Sequence, residues 1–106
     1  MPPLLPEVLP PFVQELEKLL REQGEHELAA QVPELRIVER CRCGDDFCGT
    51  FYAQPRPKGS YGPNHRNVEL SPKVGMLILD VVDGKIACVE VLYRNDIRKA
   101  IHAVVP

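Results

Sequence analysis

The sequence predicts an α+β domain: a mostly antiparallel sheet of about five strands with two N-terminal helices and one C-terminal helix packed on it. Apolar residues recur at helical spacing near both ends of the chain, and β-type runs occupy the middle. The links between these runs are too short for the crossovers that parallel strands require. With 106 residues, the chain has the length of one domain, so we expect residues 1–106 to form a single unit.

The helices are predicted from prolines, a glycine and apolar spacing. Residues 1–10 are rich in proline and are expected to form an extended lead-in. Pro10 or Pro11 suits the first turn of a helix, and Gly24 suits its end. Residues 25–33 predict a short second helix, with a single helix bent at Gly24 as the alternative. The C-terminal helix is predicted after Asn95 from the stripe Ile97, Ala100, Ile101, Val104 and Val105.

Three of the four cysteines fall within one predicted hairpin. The strand "LRIVERCRC" and the return strand "CGTFYA" are separated by "GDDF", which is rich in turn-forming residues. If Cys43 faces Cys48 across this turn, Cys41 lies opposite Thr50 and the three sulfurs share one face. Opposed side chains have Cβ atoms about 5 Å apart, so the hairpin predicts a cluster of three thiols.

The stretch "GMLILDVVDGKIACVEVLY" predicts a second hairpin with a type I′ turn at Asp83-Gly84. Pairing Val82 with Lys85 sets the expected register. Both faces of this hairpin are then largely apolar, which predicts a central position in the sheet. One face comprises Leu77, Leu79, Val81, Ile86, Cys88, Glu90 and Leu92; the other comprises Met76, Ile78, Asp80, Val82, Lys85, Ala87, Val89, Val91 and Tyr93.

Glu90 is the least expected residue of this hairpin, since it falls on an otherwise apolar face. A buried carboxylate without a partner is costly, and its pKa rises. We therefore expect either a base such as Arg94 or Arg98 beside it, or an opening at that end of the face. Asp80 raises the same question on the opposite face. An enzyme that uses either carboxylate is one hypothesis, but the sequence assigns no catalytic residue.

The stretch of residues 54–67 is predicted to be a long basic loop. It contains prolines and glycines and no acidic residue, and long loops in compact domains are often functional. Its side chains suit an acidic partner or a phosphate, although a solvated loop stiffened by proline is the simpler interpretation. The candidate binding residues are Arg56, Lys58, Tyr61, His65 and Arg66.

The cysteine spacing leaves three interpretations open. A structural zinc site needs four ligands, and C-x-C-x₄-C is not the usual knuckle spacing, so His65 or Cys88 would have to supply the fourth. A redox pair lacks the C-x-x-C spacing at a helix N-terminus. Reduced thiols packed under a tight turn are the simplest interpretation. The sequence therefore assigns neither a metal nor a cofactor.

Charge and hydropathy limit the partners. A net charge of -2 argues against a dedicated nucleic-acid binder, which is usually strongly basic. No apolar stretch approaches the ~18 residues of a membrane span, and the first residues lack the basic region of a signal peptide. These features predict a cytoplasmic protein with reduced cysteines.

The stretch "RCRCGDDFCGTFY", together with the second hairpin, resembles small bacterial proteins that have no assigned function. The two stretches cover residues 35–94. The resemblance implies a bacterial cytosolic domain and transfers no catalytic residue.

The function predicted from these features is non-enzymatic contact with a partner protein that the sequence does not identify. An immunity-like or antitoxin-like role would suit a small charged domain, and homodimerisation through a sheet edge or the N-terminal arm is a further option. The alternative is a zinc-binding or thiol-redox module built on Cys41, Cys43 and Cys48.

Overall fold

The structure, a computed structural model, describes all residues from 1 to 106. It confirms the α+β class, with a five-stranded antiparallel sheet and helices from both ends of the chain. The elements are α1 (Leu5–Val8), α2 (Pro10–Glu22), α3 (His26–Gln31), a 3₁₀ turn (Val32–Glu34), β1 (Glu39–Arg40), β2 (Phe51–Tyr52), β3 (His65–Leu70), β4 (Met76–Val82), β5 (Lys85–Leu92) and α4 (Asn95–Val104).

The N-terminal arm is more ordered than the expected extended lead-in. It forms the one-turn helix α1, because Leu5 is fully buried in the core and a helical turn directs it inward. The N–H of Leu5 donates to the carbonyl of Leu35 at 2.8 Å, and Leu4 pairs with Arg36. The arm is therefore engaged within its own chain. Helix α2 ends before Gly24, whose φ of +79° suits a glycine, as predicted.

The second hairpin, β4–β5, lies inside the sheet, whose strand order is β1-β2-β5-β4-β3. Its predicted turn is confirmed: Val82 pairs with Lys85, and both Asp83 and Gly84 have positive φ. The first hairpin forms the short β1–β2 pair beside β5, with Tyr52 opposite Cys88.

A β-bulge makes the predicted faces of the second hairpin wrong. Val81 pairs with Ile86 but Asp80 pairs with Cys88, so Ala87 is an extra residue in β5. Beyond Ala87, every side chain of β5 lies on the face opposite to the one expected. The bulge turns Val89 and Val91 toward the core and Glu90 away from it. Burial of two valines instead of a carboxylate is the physical reason for the shift.

The two faces of the sheet are covered very differently. The covered face joins the buried residues of α1–α4 in one core of 21 residues. We call the opposite side the uncovered face, and the part of it over the hairpin is occupied by the loop before β3, where the Tyr61 ring lies 4.7 Å from the His65 ring. The strand residues of the uncovered face include Tyr52, His65, Asn67, Glu69, Met76, Ile78, Asp80, Val82, Cys88, Glu90 and Leu92.

The predicted basic loop is shorter than expected. Strand β3 begins at His65, which pairs with Val82, and the ladder continues to Leu70 opposite Leu77. His65, Arg66 and Asn67 therefore belong to a strand because β4 supplies a partner along their whole length. The loop proper ends at Asn64.

Candidate thiol site on the uncovered face

The three hairpin cysteines lie together, as their spacing predicts. The Sγ atoms of Cys41, Cys43 and Cys48 are all within 4.8 Å of one another. The backbone N–H of Cys41 donates to the carbonyl of Thr50 at 2.9 Å. Cys48 forms an isolated antiparallel β-bridge with Leu92, whose side chain lies on the uncovered face. Cys48 is buried, Cys41 is half-buried and Cys43 is exposed, so the cluster opens to solvent on one side. We call these three cysteines the thiol corner.

Backbone hydrogen bonds fix the thiol corner to the central strand. Gly49 donates its N–H to the carbonyl of Val91 at 2.8 Å, and Tyr93 donates to the carbonyl of Phe47 at 2.9 Å. A Cβ on Gly49 would lie 3.1 Å from the backbone nitrogen of Arg98, so only glycine lets α4 approach this closely. The turn that carries the cysteines is therefore held by the rigid part of the sheet.

The thiols differ in how readily they ionise. Burial raises the pKa of Cys48, but the hydroxyl and N–H of Thr50 and the two neighbouring thiols outweigh it, so its pKa falls below the ordinary value. For Cys43, the Asp45 N–H lowers the pKa, whereas the thiols of Cys41 and Cys48 raise it, and the net result is about 11. Between Cys43 and Cys48, Cys48 is therefore the thiol that ionises more readily.

Neither predicted fourth ligand belongs to the thiol corner. His65 lies at the start of β3, where its Nε2 atom is 2.7 Å from Oδ1 of Asp80. Cys88 is buried on the uncovered face beside Tyr61, and burial raises the pKa of its thiol. A zinc site would have needed one of these residues as its fourth ligand, but His65 lies in β3 and Cys88 in β5, outside the group of three converging sulfurs. The corner supplies three ligands from one chain.

The two carboxylates of the second hairpin lie on the same face, contrary to expectation. Oδ1 of Asp80 accepts a hydrogen bond from Asn67 at 2.7 Å besides its contact with His65. Burial, followed by hydrogen bonding and charge repulsion from Asp80, raises the pKa of Glu90 to about 7. Glu90 is therefore partly protonated near neutral pH.

The base expected beside Glu90 is engaged elsewhere. Arg94 forms two hydrogen bonds of 2.8 Å with Glu15 of α2, on the helical side of the domain. The surface pockets of about 840, 480, 410 and 280 Å³ are lined by neither Asp80 nor Glu90.

The predicted binding residues of the basic loop separate into two groups. Tyr61, Arg56 and Lys58 border a pocket of about 280 Å³, with the Arg56 guanidinium 5.6 Å from the Tyr52 ring centre. Arg66 instead forms two hydrogen bonds of 2.9 and 3.0 Å with Glu25 beside α3. His65 adjoins both groups, because its ring lies 4.7 Å from the Tyr61 ring while its Nε2 atom contacts Asp80. The five residues therefore do not converge on one ligand position, and their binding role stays a prediction.

Two features of the thiol corner were missed by sequence reasoning. Thr50 assists ionisation of Cys48, and the pattern C-G-T could have revealed it, because alternate strand residues share a face. Phe47 and Tyr93 stack with ring centres 5.1 Å apart, although both are exposed. Nothing in the sequence brings residues 47 and 93 together, since their contact depends on pairing between the hairpin and β5.

No known family accounts for the arrangement. The chain matches no protein-family model, no curated protein and no solved structure. The resemblance to small bacterial proteins therefore stays a prediction. None of the helices combines the length and the apolar content that a membrane crossing requires.

Proposed function

We propose that the protein binds a soft transition-metal ion, with zinc as the first candidate, through Cys41, Cys43 and Cys48. The observation that carries the proposal is the approach of three sulfur atoms to within 4.8 Å of one another. Tetrahedral zinc, with Zn–S bonds of about 2.3 Å, holds its sulfurs about 3.8 Å apart. Closure around an ion would thus need movements of about 1 Å or less per sulfur.

Ligand chemistry supports a soft ion over a hard one. Thiolates select zinc and monovalent copper, whereas calcium and magnesium take oxygen ligands. One ligand, Cys48, is already biased toward the thiolate by Thr50, and the ion would displace the remaining protons as it binds. Two arginines of the hairpin, Arg40 and Arg42, add positive charge that offsets a cluster of thiolates.

The metal would order the hairpin end and would not create the fold. The core of 21 residues lies on the other side of the sheet and contains none of the three cysteines. The proposal is therefore compatible with a small domain that acts by contact, in which the ion shapes one surface. A reducing compartment such as the cytoplasm suits it, because the thiols must remain unoxidised.

Zinc titration of single cysteine variants tests the proposal. Cys41→Ser, Cys43→Ser and Cys48→Ser should each weaken zinc binding by more than about 100-fold, since loss of a ligand exceeds the effect of losing a supporting residue. Cys88→Ala is the matched control, because it removes a buried thiol outside the corner. Competition with a chromophoric chelator measures the affinities. Equal zinc affinity in all four variants would contradict the proposal.

A further inference from the structure

The thiol corner is incomplete as a zinc site. Four-coordinate zinc with three ligands from one chain keeps one open position, and neither His65 nor Cys88 lies near enough to fill it. Catalytic zinc sites use such a position for water. None of the three cysteines lines the surface pockets of about 840, 480, 410 and 280 Å³. The missing ligand has to come from outside the chain.

The surface beside the corner has the character of a contact region. Three exposed apolar side chains, which we call the aromatic patch, surround it: Phe47 is 38% exposed, Tyr93 59% and Met76 48%. Phe47 directly precedes Cys48, and its carbonyl accepts the N–H of Tyr93 at 2.9 Å. Met76 pairs with Leu92, which is the β-bridge partner of Cys48, so the aromatic patch adjoins the thiol corner along the backbone. Large apolar residues that cluster on a surface commonly mark interaction sites.

Tyr93 adds an independent observation, since its φ is +62°. A bulky residue rarely adopts this left-handed conformation, which costs free energy and tends to be kept where function requires it. Here the conformation ends β5 and sets the Tyr93 ring against Phe47 with more than half of its surface in solvent. Packing within the domain gains little from that arrangement.

We propose that two copies of the chain join at the aromatic patch and complete each other's metal site, with the sulfur of Cys43 from each copy bridging two zinc ions. This inference rests on the zinc site proposed above. Six thiols then lose six protons to hold two Zn²⁺ ions, with four terminal and two bridging thiolates, and each ion reaches four ligands. Cys43 takes the bridging role because it is the exposed member of the three.

A second copy fits the corner better than an unrelated partner would. Two sets of three thiolates satisfy two four-coordinate ions with no ligand left over. The turn also carries both charges: Arg42, which pairs with Glu39 at 3.0 Å, lies on one side of Cys43, and the exposed Asp45 and Asp46 lie on the other. A two-fold axis through this region sets opposite charges against each other, and it buries the same aromatic patch on both copies.

Native mass spectrometry with added zinc, on the full chain and its variants, tests the inference. The expected species is a dimer with two zinc ions that becomes a metal-free monomer when a chelator is added. X-ray absorption at the zinc edge should detect a second zinc as a neighbour, which requires bridging sulfur. Cys43→Ser should weaken dimerisation by at least about 100-fold, judged against the cost of losing groups that only support a ligand.

Tyr93→Asp tests the contact surface while leaving all thiols in place. Aspartate tolerates a left-handed backbone better than most residues, so the variant should fold, and its charge should repel its counterpart across the two-fold axis. We expect a monomer that still binds one zinc, with weaker affinity. Ala30→Asp is the control, since it adds the same charge at an exposed position of α3 on the helical side.

The outcomes separate this inference from the proposed function. A wild-type monomer that holds one zinc overturns the dimeric cluster and leaves the zinc site standing. Absence of bound zinc overturns both. A dimer that survives chelation, or one whose absorption spectrum shows no zinc neighbour, overturns the bridged cluster. A Tyr93→Asp protein that dimerises like Ala30→Asp removes the aromatic patch from the interface and so contradicts the inference.

Discussion

The covered face of the sheet packs apolar residues against four helices, whereas the uncovered face carries cysteines, carboxylates and their hydrogen-bond partners. Two adjacent residues of β2 lie on opposite faces of the sheet. Phe51 is fully buried under the helices, and Tyr52 lies on the uncovered face opposite Cys88. Because strand side chains alternate, a single sheet can separate stability from chemistry. The fold therefore depends chiefly on one face, while the other carries the thiols and the polar network.

The two halves of the uncovered face also differ. Asp80 is satisfied by His65 and Asn67, and the pKa of Glu90 is raised by burial and by the nearby Asp80. In the thiol corner, by contrast, two of the three cysteines remain accessible and contact chiefly one another. Internally satisfied polar groups stabilise a surface, while ligand atoms that converge without a partner are free to bind.

The largest expected effect comes from the covered face. Phe51→Ala should lower the free energy of unfolding by about 3–5 kcal/mol, because it removes a buried ring and leaves a cavity. Tyr52→Ala, the matched change on the opposite face, should cost about 1 kcal/mol. Urea unfolding followed by circular dichroism measures both. Equal costs would mean that the two faces contribute alike to stability.

The next largest change in the free energy of unfolding should come from zinc that binds at the thiol corner of the uncovered face. At a free concentration of about 100 times Kd, the ion adds about 2.7 kcal/mol to the free energy of unfolding. For a domain of this size, the melting temperature then rises by roughly 10–20 °C. Differential scanning calorimetry with zinc and then with a chelator checks the value. The same rise in a protein lacking Cys41 and Cys48 would show that zinc acts elsewhere.

Replacement of Asp80 should lower the free energy of unfolding by an intermediate amount. Asp80→Ala leaves the donors of His65 and Asn67 without their acceptor, at a cost of about 2 kcal/mol. Asp46→Ala, in the exposed turn, is the control and should change stability by less than about 0.5 kcal/mol. Chemical denaturation at pH 7 measures both variants. An Asp80→Ala variant with the same free energy of unfolding as the wild type would show that this network does not stabilise the fold.

Glu90→Gln should have a smaller effect that depends on pH. The folded pKa of about 7 exceeds the ordinary 4.5, so the folded chain binds more protons than the unfolded chain between these values. Stability from this group is therefore complete below about pH 4.5 and is lost as the pH rises through 7. The neutral amide of the Glu90→Gln variant would keep its hydrogen bond at every pH.

We therefore expect Glu90→Gln to stabilise the protein at pH 8 by on the order of 1 kcal/mol, after allowance for partial solvent exposure. At about pH 5 the variant and the wild type should differ little. Urea midpoints at the two pH values provide the measurement. A larger gain at the lower pH than at the higher one would have the wrong sign for a carboxyl group with a raised pKa.

The smallest effect is expected from Cys43→Ser without metal. Cys43 is exposed and outside the core, so its replacement should change the free energy of unfolding by less than about 0.5 kcal/mol. The same variant should lose zinc binding and the stabilisation that zinc provides. Calorimetry with and without zinc compares the two conditions. A large loss of stability without metal would give Cys43 a packing role in place of a ligand role.

Local sequence patterns predicted much of the fold and part of the candidate site. Helical spacing predicted α2, α3 and α4, and Asp83-Gly84 predicted its turn, because both depend on residues close in sequence. The clustering of three thiols was predictable for the same reason, since eight residues of one hairpin contain them all.

Other features depended on long-range competition for burial. The bulge at Ala87 could not be predicted from local β-propensity, because the residues of β5 favour a strand equally well with or without the bulge. One signal was present: a regular register buried Glu90 among apolar residues, and the cost of that burial pointed to a shift. The extra length of β3 at His65 likewise required β4 as a partner, and no property of "HRN" alone favours a strand.

By itself, the sequence determined α2, α3 and α4, the two hairpins and the grouping of Cys41, Cys43 and Cys48, because short-range spacing and turn chemistry specify them. Helix α1, expected as an extended lead-in, depended on the tertiary structure. Only the tertiary structure decided which face each β5 residue occupies, and so brought Glu90 to Asp80 and the aromatic patch to the thiols. The physical reason is that burial of Val89 and Val91 in the shared core outweighs regular pairing, and this gain exists only once the helices cover one side of the sheet.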